Sequence, residues 1–222
     1  MSKPKLFIFD CDGVISETAE LHYLAWKKMM KIFNVDLPFL YLDKFRGVSR
    51  PECLQILKKE FSEINFDVYN DDYLLNYKNS AYLEEINNGK AKIYYNTINI
   101  IKKARKDNIL IGLASISRNS KLILKNVKIL KYFDYVVNPK LIKNSKPDPE
   151  IFLKVALELN ILPTDCIAFE DALVGVQSIK SAGMFCVGIG DKNYLNMAEI
   201  VFATPENMNY DQIINLFNNI NK

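Results

Sequence analysis

The sequence predicts an α/β protein: a doubly wound parallel sheet with an α-helical cap inserted after its first strand. Three observations carry that reading. The chain opens on a five-residue, mostly apolar run, Lys5-Leu6-Phe7-Ile8-Phe9, which stops at Asp10, Cys11, Asp12 and Gly13. From Ile93 onward, short apolar stretches alternate with helical ones, the pattern of parallel strands joined by crossover helices. Between these regions, residues 17–86 carry helical patterning and few strand candidates, so they read as an insertion. The expected boundaries are 1–15 and 87–222 for the sheet-bearing core and 16–86 for the cap.

Each element follows in order. A buried parallel strand reads as a short continuous apolar run, and ligands of open α/β sheets bind beyond the carboxyl ends of their strands. Asp10 and Asp12 therefore stand where chemistry occurs in such folds, and Gly13 marks the turn that follows. Residues 97–107 read as a helix, 109–114 as a strand, 120–130 as a helix and 135–137 as a short strand. The next helix, 149–159, has Pro149 near its start, where a missing N–H costs nothing. Strand 166–169 ends on Glu170 and Asp171, and helix 173–182 stops at Gly183. Strands 185–189 and 200–202 and a last helix, 210–219, complete the pattern.

A chain of 222 residues suffices for one large domain or a domain with a sizeable insertion. Nearly half of the residues are apolar and a quarter are charged, as in ordinary soluble proteins. The formal net charge is only +3 and the lysines are scattered, so no nucleic-acid partner is expected. No apolar run reaches the roughly 18 residues that a membrane span needs, and no signal-peptide pattern is seen, so neither a membrane partner nor export is expected. The four cysteines, Cys11, Cys53, Cys166 and Cys186, lack paired metal-type spacing. A reduced, cytoplasmic and monomeric protein is the expectation. Cys11 reads as a buried spacer pointing away from the aspartates on either side of it.

Collecting the strand ends assembles a chemical set. Asp10 and Asp12 follow the first strand, Ser115 follows strand 109–114, and Glu170 and Asp171 close strand 166–169. Lys146 lies in the polar loop Asn144-Ser145-Lys146-Pro147. Carboxylate oxygens are hard ligands suited to Mg²⁺, which binds one or two carboxylates together with a phosphate. A carboxylate can also act as a nucleophile and carry an aspartyl-phosphate. A lysine beside it would balance an incoming phosphoryl group, and a hydroxyl would orient its oxygens.

At these residues the chain resembles the haloacid dehalogenase-like phosphotransferase superfamily. Its four motifs occur in order as Asp10-Cys11-Asp12-Gly13-Val14, Ala114-Ser115, Lys146-Pro147 and Glu170-Asp171-Ala172 with Gly175. The resemblance implies a Rossmann-like core, with Asp10 as nucleophile and Asp12 as general acid/base. It implies that Ser115 and Lys146 grip the transferring phosphoryl group. It further implies that Asp10, the Asp12 backbone carbonyl, Glu170 and Asp171 bind Mg²⁺. The helical insertion is similar to the cap of the phosphoglucomutase-like subclass.

The cap carries a narrower resemblance, to the β-phosphoglucomutase family. It rests on Thr18, His22, Ala25 and Trp26, on Gly47-Val48-Ser49-Arg50, and on Ser115, Ser117, Arg118 and Asn119 in the core. Thr18, His22 and Trp26 are four apart, so a helix presents them as one stripe. Taken alone, Trp26 reads as cap packing and His22, the chain's one histidine, as structural. The family pattern instead links His22 and a cap lysine, Lys78, to the acid/base residue; without it, Lys78 reads as a solvated helix lysine. Arg50 follows a glycine-containing turn where a guanidinium could hold a phosphate bidentately. The resemblance places Arg50, with Gly47, Val48 and Ser49, at a second phosphate that Ser117, Arg118 and Asn119 also meet.

Three departures stand out. Arg118 occupies a frequent lysine position, Ala172 a frequent serine position, and Tyr95-Asn96 replaces an expected Pro-Gly. The implied activity is Mg²⁺-dependent interconversion of β-D-glucose 1-phosphate and glucose 6-phosphate through β-glucose 1,6-bisphosphate. A sugar-phosphate phosphatase with the same core is the alternative. A catalytically silent sugar-phosphate sensor is a third reading, and the intact Asp10, Asp12, Lys146 and Asp171 argue against it.

Overall fold

Six parallel strands form the sheet, in the spatial order Tyr135–Val136, Leu110–Leu113, Leu6–Phe9, Cys166–Glu170, Phe185–Ile189 and Ile200–Phe202. They are β1 (Leu6–Phe9), β4 (Leu110–Leu113), β5 (Tyr135–Val136), β6 (Cys166–Glu170), β7 (Phe185–Ile189) and β8 (Ile200–Phe202). The coordinates are a computed structural model and describe residues 3–88 and 91–220. The chain starts at the middle strand, moves outward through β4 and β5, then returns across β1 to β6. β1 is therefore a topological switch point, the place where open α/β sheets form their binding crevice.

Alternation of side chains along β1 builds both faces of the core. Leu6 and Ile8 join a cluster with Val155, Cys166, Ala168 and Ile179. Phe7 and Phe9 face the other way. The Phe9 ring stacks on Phe169 at 4.3 Å, and Phe7 meets Tyr210 at 6.1 Å. All four β1 residues are fully buried, as a strand covered on both faces requires.

The crossover helices are α5 (Tyr95–Lys106), α6 (Ser120–Asn126), α7 (Glu150–Glu158) and α8 (Leu173–Ser181), and α9 (Tyr210–Ile220) ends the chain's elements. Helix α5 starts two residues before the expected position, and α6 stops well short of residue 130. The α6 stop has a clear physical cause. Lys128 adopts a left-handed conformation, φ 58°, and the Ile129 and Lys128 N–H groups bond back to the carbonyls of Leu124 and Lys125 at 3.0 Å each. This is a Schellman closure made without the glycine that usually signals it.

The chain divides into two compact units: residues up to Ser16 together with those from Ile93 onward, and Glu17–Lys92. The second unit contains α1 (Ala19–Met30), α2 (Tyr41–Lys44), α3 (Arg50–Glu60) and α4 (Asp71–Asn87). Its own core includes Trp26, Met29, Tyr41, Phe45, Leu54, Phe66 and Leu74. Ser49 caps α3 in a reciprocal capping box with Glu52, and the Asn70 side chain accepts the Tyr73 N–H at the start of α4. A two-residue ladder pairs β2 (Ser16–Glu17) with β3 (Lys92–Ile93). Among the described residues no helix is long and apolar enough to cross a membrane.

Candidate active site

The ends of β1 and β6 bring three carboxylates together. Asp10 directly follows β1, and its N–H donates to the Phe169 carbonyl at 3.0 Å, so sheet pairing continues up to the functional side chain. Oxygens of Asp10, Glu170 and Asp171 lie within 4.8 Å of one another. The Lys146 ammonium lies between two of them, 2.8 Å from Asp10 Oδ1 and 2.7 Å from Glu170 Oε2. The remaining oxygens accept backbone N–H groups. Asp12 N–H donates to Asp10 Oδ2 at 3.0 Å, and Asp171 and Ala172 N–H groups donate to Glu170 Oε1 at 3.2 and 3.1 Å.

Burial dominates the electrostatics. It raises the Asp10 carboxyl from its ordinary value to about 7; Lys146 pulls the other way, while Glu170 and Asp12 add to the rise. Burial works against the Lys146 charge, yet Asp10 and Glu170 overcome it and raise the ammonium above its usual range. Burial likewise drives the Cys11 thiol well above its normal range, which keeps it protonated and inert. Three clustered carboxylates beside one ammonium leave an excess of negative charge. Hard oxygen donors with that excess fit a divalent cation of the Mg²⁺ type. Asp10, Glu170 and Asp171 would hold such an ion.

Two glycines make the cluster possible. A Cβ at Gly13, whose φ is +82°, would overlap the Asp171 carboxylate, and one at Gly175 would overlap that of Glu170. Gly175 appears in the motif, yet its role as the space that admits Glu170 is visible only in three dimensions. Ser115 lies one strand over, beyond β4, buried, and its Oγ accepts the Ser117 N–H at 3.2 Å. Ser117 Oγ in turn accepts the Asn119 N–H at 3.4 Å as α6 begins, and Arg118 is exposed beside it.

The helical unit assembles its own polar group. Lys78 is almost fully buried, with its Nζ 2.6 Å from His22 Nδ1 and above the rings of Trp26 and Tyr82 at 5.4 and 4.9 Å. His22 stacks on Tyr82 at 4.0 Å. A solvated helix lysine is therefore the wrong description of Lys78; the aromatic residues around it make the site, and their spacing in sequence gives little sign of that. Thr18 stands buried at the N-terminal end of α1, and Trp26 packs into the unit's core against Phe45. Gly47 takes a left-handed conformation, φ 71°, just before Ser49 caps α3 and Arg50 opens it, and Val48 packs against the unit's core. The Ser49 hydroxyl is engaged with Glu52 at 2.5 Å. Burial raises the Cys53 thiol to about 12; Lys78 and Arg50 pull the other way, while Glu52 adds to the rise.

Residues 7–189 match the family model of haloacid dehalogenase-like hydrolases. The chain belongs to this family. As a haloacid dehalogenase-like protein it is 39% identical to the β-phosphoglucomutase of Bacillus subtilis over 201 residues, 89% of this chain and 88% of that protein. It is 30% identical to a phosphorylated carbohydrates phosphatase of Thermotoga maritima over 186 residues, 80% of this chain and 81% of the relative. A crystal structure of β-phosphoglucomutase from Clostridium difficile superposes with a TM-score of 0.91 at 32% identity, covering 98% of both chains. The haloacid dehalogenase-like fold and the kinship with β-phosphoglucomutases, expected from the motifs, are both borne out.

Proposed function

We propose that the protein is a cytoplasmic, Mg²⁺-dependent β-phosphoglucomutase that interconverts β-D-glucose 1-phosphate and glucose 6-phosphate. Asp10 is the nucleophile: its carboxylate oxygen attacks phosphorus, and the bond from phosphorus to the sugar oxygen breaks. Asp12 donates the proton that the departing sugar oxygen needs, and takes one back in the reverse transfer. Ser115 and Lys146 hold the phosphoryl oxygens during transfer. Mg²⁺, when bound by Asp10, Glu170, Asp171 and the Asp12 carbonyl, would supply neutralising charge for the phosphoryl group.

A mutase differs from a hydrolase in handling a bisphosphate, here β-glucose 1,6-bisphosphate. The phosphate not undergoing transfer is assigned to Arg50, with Gly47, Val48, Ser49, Ser117, Arg118 and Asn119 around it; Thr18, His22, Trp26 and Lys78 are assigned to the sugar side. The observation that carries the reading is the similarity to the Bacillus subtilis enzyme along 89% of the chain, helical unit included. Arg50 opens α3 directly after the Ser49 cap, which places a guanidinium at the turn assigned to the second phosphate.

The second reading, a Mg²⁺-dependent sugar-phosphate phosphatase, draws support from the Thermotoga maritima relative. One assay separates the two. β-Glucose 1-phosphate is supplied with Mg²⁺ and a trace of β-glucose 1,6-bisphosphate, and glucose 6-phosphate and free phosphate are followed together. Glucose 6-phosphate as the dominant product supports the mutase; stoichiometric free phosphate would replace it with the phosphatase.

A further inference from the structure

Asp12 stands on a loop that closes on itself. The N–H groups of Ile15 and Ser16 donate to the Cys11 carbonyl at 2.9 and 3.0 Å, and Gly13 N–H donates to the Ser16 carbonyl at 2.7 Å. The loop is fastened to the first turn of α5 by two bonds. Thr97 Oγ1 donates to the Val14 carbonyl at 2.7 Å, and Tyr94 N–H donates to the Ile15 carbonyl at 3.0 Å. Thr97 is fully buried. Its neighbour Asn96 reaches the opposite way, its side-chain amide shared among the carbonyls of Pro205, Glu206 and Met208 at 3.0, 3.3 and 2.9 Å. Adjacent residues thus clasp the C-terminal segment on one side and the Asp12 loop on the other. A valine would fill the volume of Thr97 equally well, so what distinguishes threonine here is the hydroxyl. Without it the Val14 carbonyl loses a buried donor.

We propose that Thr97 is a positioning residue for phosphoryl transfer, fixing through the Val14 carbonyl the loop that presents Asp12. The proposal rests on the reading of Asp12 as general acid/base. Asp10 is anchored separately, by the sheet bond of its N–H to Phe169, so the hydroxyl bears on Asp12 more than on the nucleophile. The test compares Thr97→Val with Thr97→Ser, which restores a hydroxyl, in the full-length protein with Mg²⁺. Turnover of β-glucose 1-phosphate is measured as total product, glucose 6-phosphate plus free phosphate, so that it holds for mutase or phosphatase alike. Hydrogen exchange of the Gly13 and Ser16 amides is measured beside it.

Thr97→Val is expected to lower kcat about tenfold or more with KM little changed, because small misplacements of a reacting group are costly. The loop amides should exchange faster, while labelling of Asp10 by acetyl phosphate changes less. Thr97→Ser should recover both kcat and protection. Wild-type kcat in Thr97→Val, or a Thr97→Ser variant no better than Thr97→Val, would overturn the positioning role. Unchanged loop exchange in Thr97→Val would overturn the tie itself. Wild-type turnover in Asp12→Asn would instead overturn the acid/base reading, and the catalytic half of the proposal with it.

Discussion

The sheet-bearing unit and the helical unit each bury a lysine, in very different company. Lys146 lies between the carboxylates of Asp10 and Glu170, while Lys78 meets the imidazole of His22 and the faces of Trp26 and Tyr82. In the first case the ammonium is a counter-ion to two of the three carboxylates gathered at the ends of β1 and β6. In the second, aromatic faces attract a cation without cancelling its charge. The two lysines are thus held by different forces, carboxylate pairing in one unit and ring faces with an imidazole contact in the other.

The severest test of this contrast is Lys146→Met. It leaves two buried carboxylates without the ammonium between them, and breaking a buried ion pair from one side costs about 3–5 kcal/mol. Denaturant midpoints should fall accordingly; unchanged stability would show that the pair does not hold the strand ends together. Arg50→Ala probes the other unit. Loss of a desolvated charge-assisted contact should weaken bisphosphate binding by about 2–5 kcal/mol, while acetyl phosphate still labels Asp10. Equal loss in both assays would indicate a folding defect, and no loss in either would remove Arg50 from the second phosphate.

A smaller effect should come from the cation. Saturation at a hundredfold above its Kd stabilises a protein by about 2.7 kcal/mol, so Mg²⁺ should raise the melting temperature of the wild type. Asp171→Asn should blunt that rise; an equal rise in the variant would place the ion elsewhere. The smallest effect is expected from Ser49→Ala, which removes one side of the capping box and should cost about 1 kcal/mol. Hydrogen exchange should then quicken at the start of α3. If the stability loss matched that of Lys146→Met, Ser49 would be doing more than capping.

The sheet-bearing unit was the more legible in sequence. Its strands are continuous apolar runs closed by acidic or hydroxyl residues, so Asp10, Ser115, Glu170 and Asp171 announce themselves by position. The pairing of Lys146 with Asp10 and Glu170 spans 136 and 24 residues, and only the motif order hinted at it. The space that Gly175 leaves for Glu170 carries no periodic signal at all. The helical unit was harder to read, because the burial of Lys78 depends on Trp26 from another helix and on the Tyr82 ring one turn away. The sequence pattern carries helix α6 on to residue 130 because its Schellman closure uses Lys128 rather than glycine. Thr97 carries no functional signal in sequence, since a lone threonine at a helix start looks like any other.

The central claim is that Asp10 is the phosphoryl acceptor, and direct labelling tests it most simply. The wild-type protein is incubated with Mg²⁺ and acetyl phosphate, the adduct is trapped, and the modified residue is mapped by mass spectrometry with Asp10→Asn as the control. One phosphoryl group on Asp10 in the wild type and none in Asp10→Asn is the predicted result. A phosphoryl group on another residue, no labelling in the wild type, or sugar-phosphate turnover by Asp10→Asn within tenfold of the wild type would contradict it.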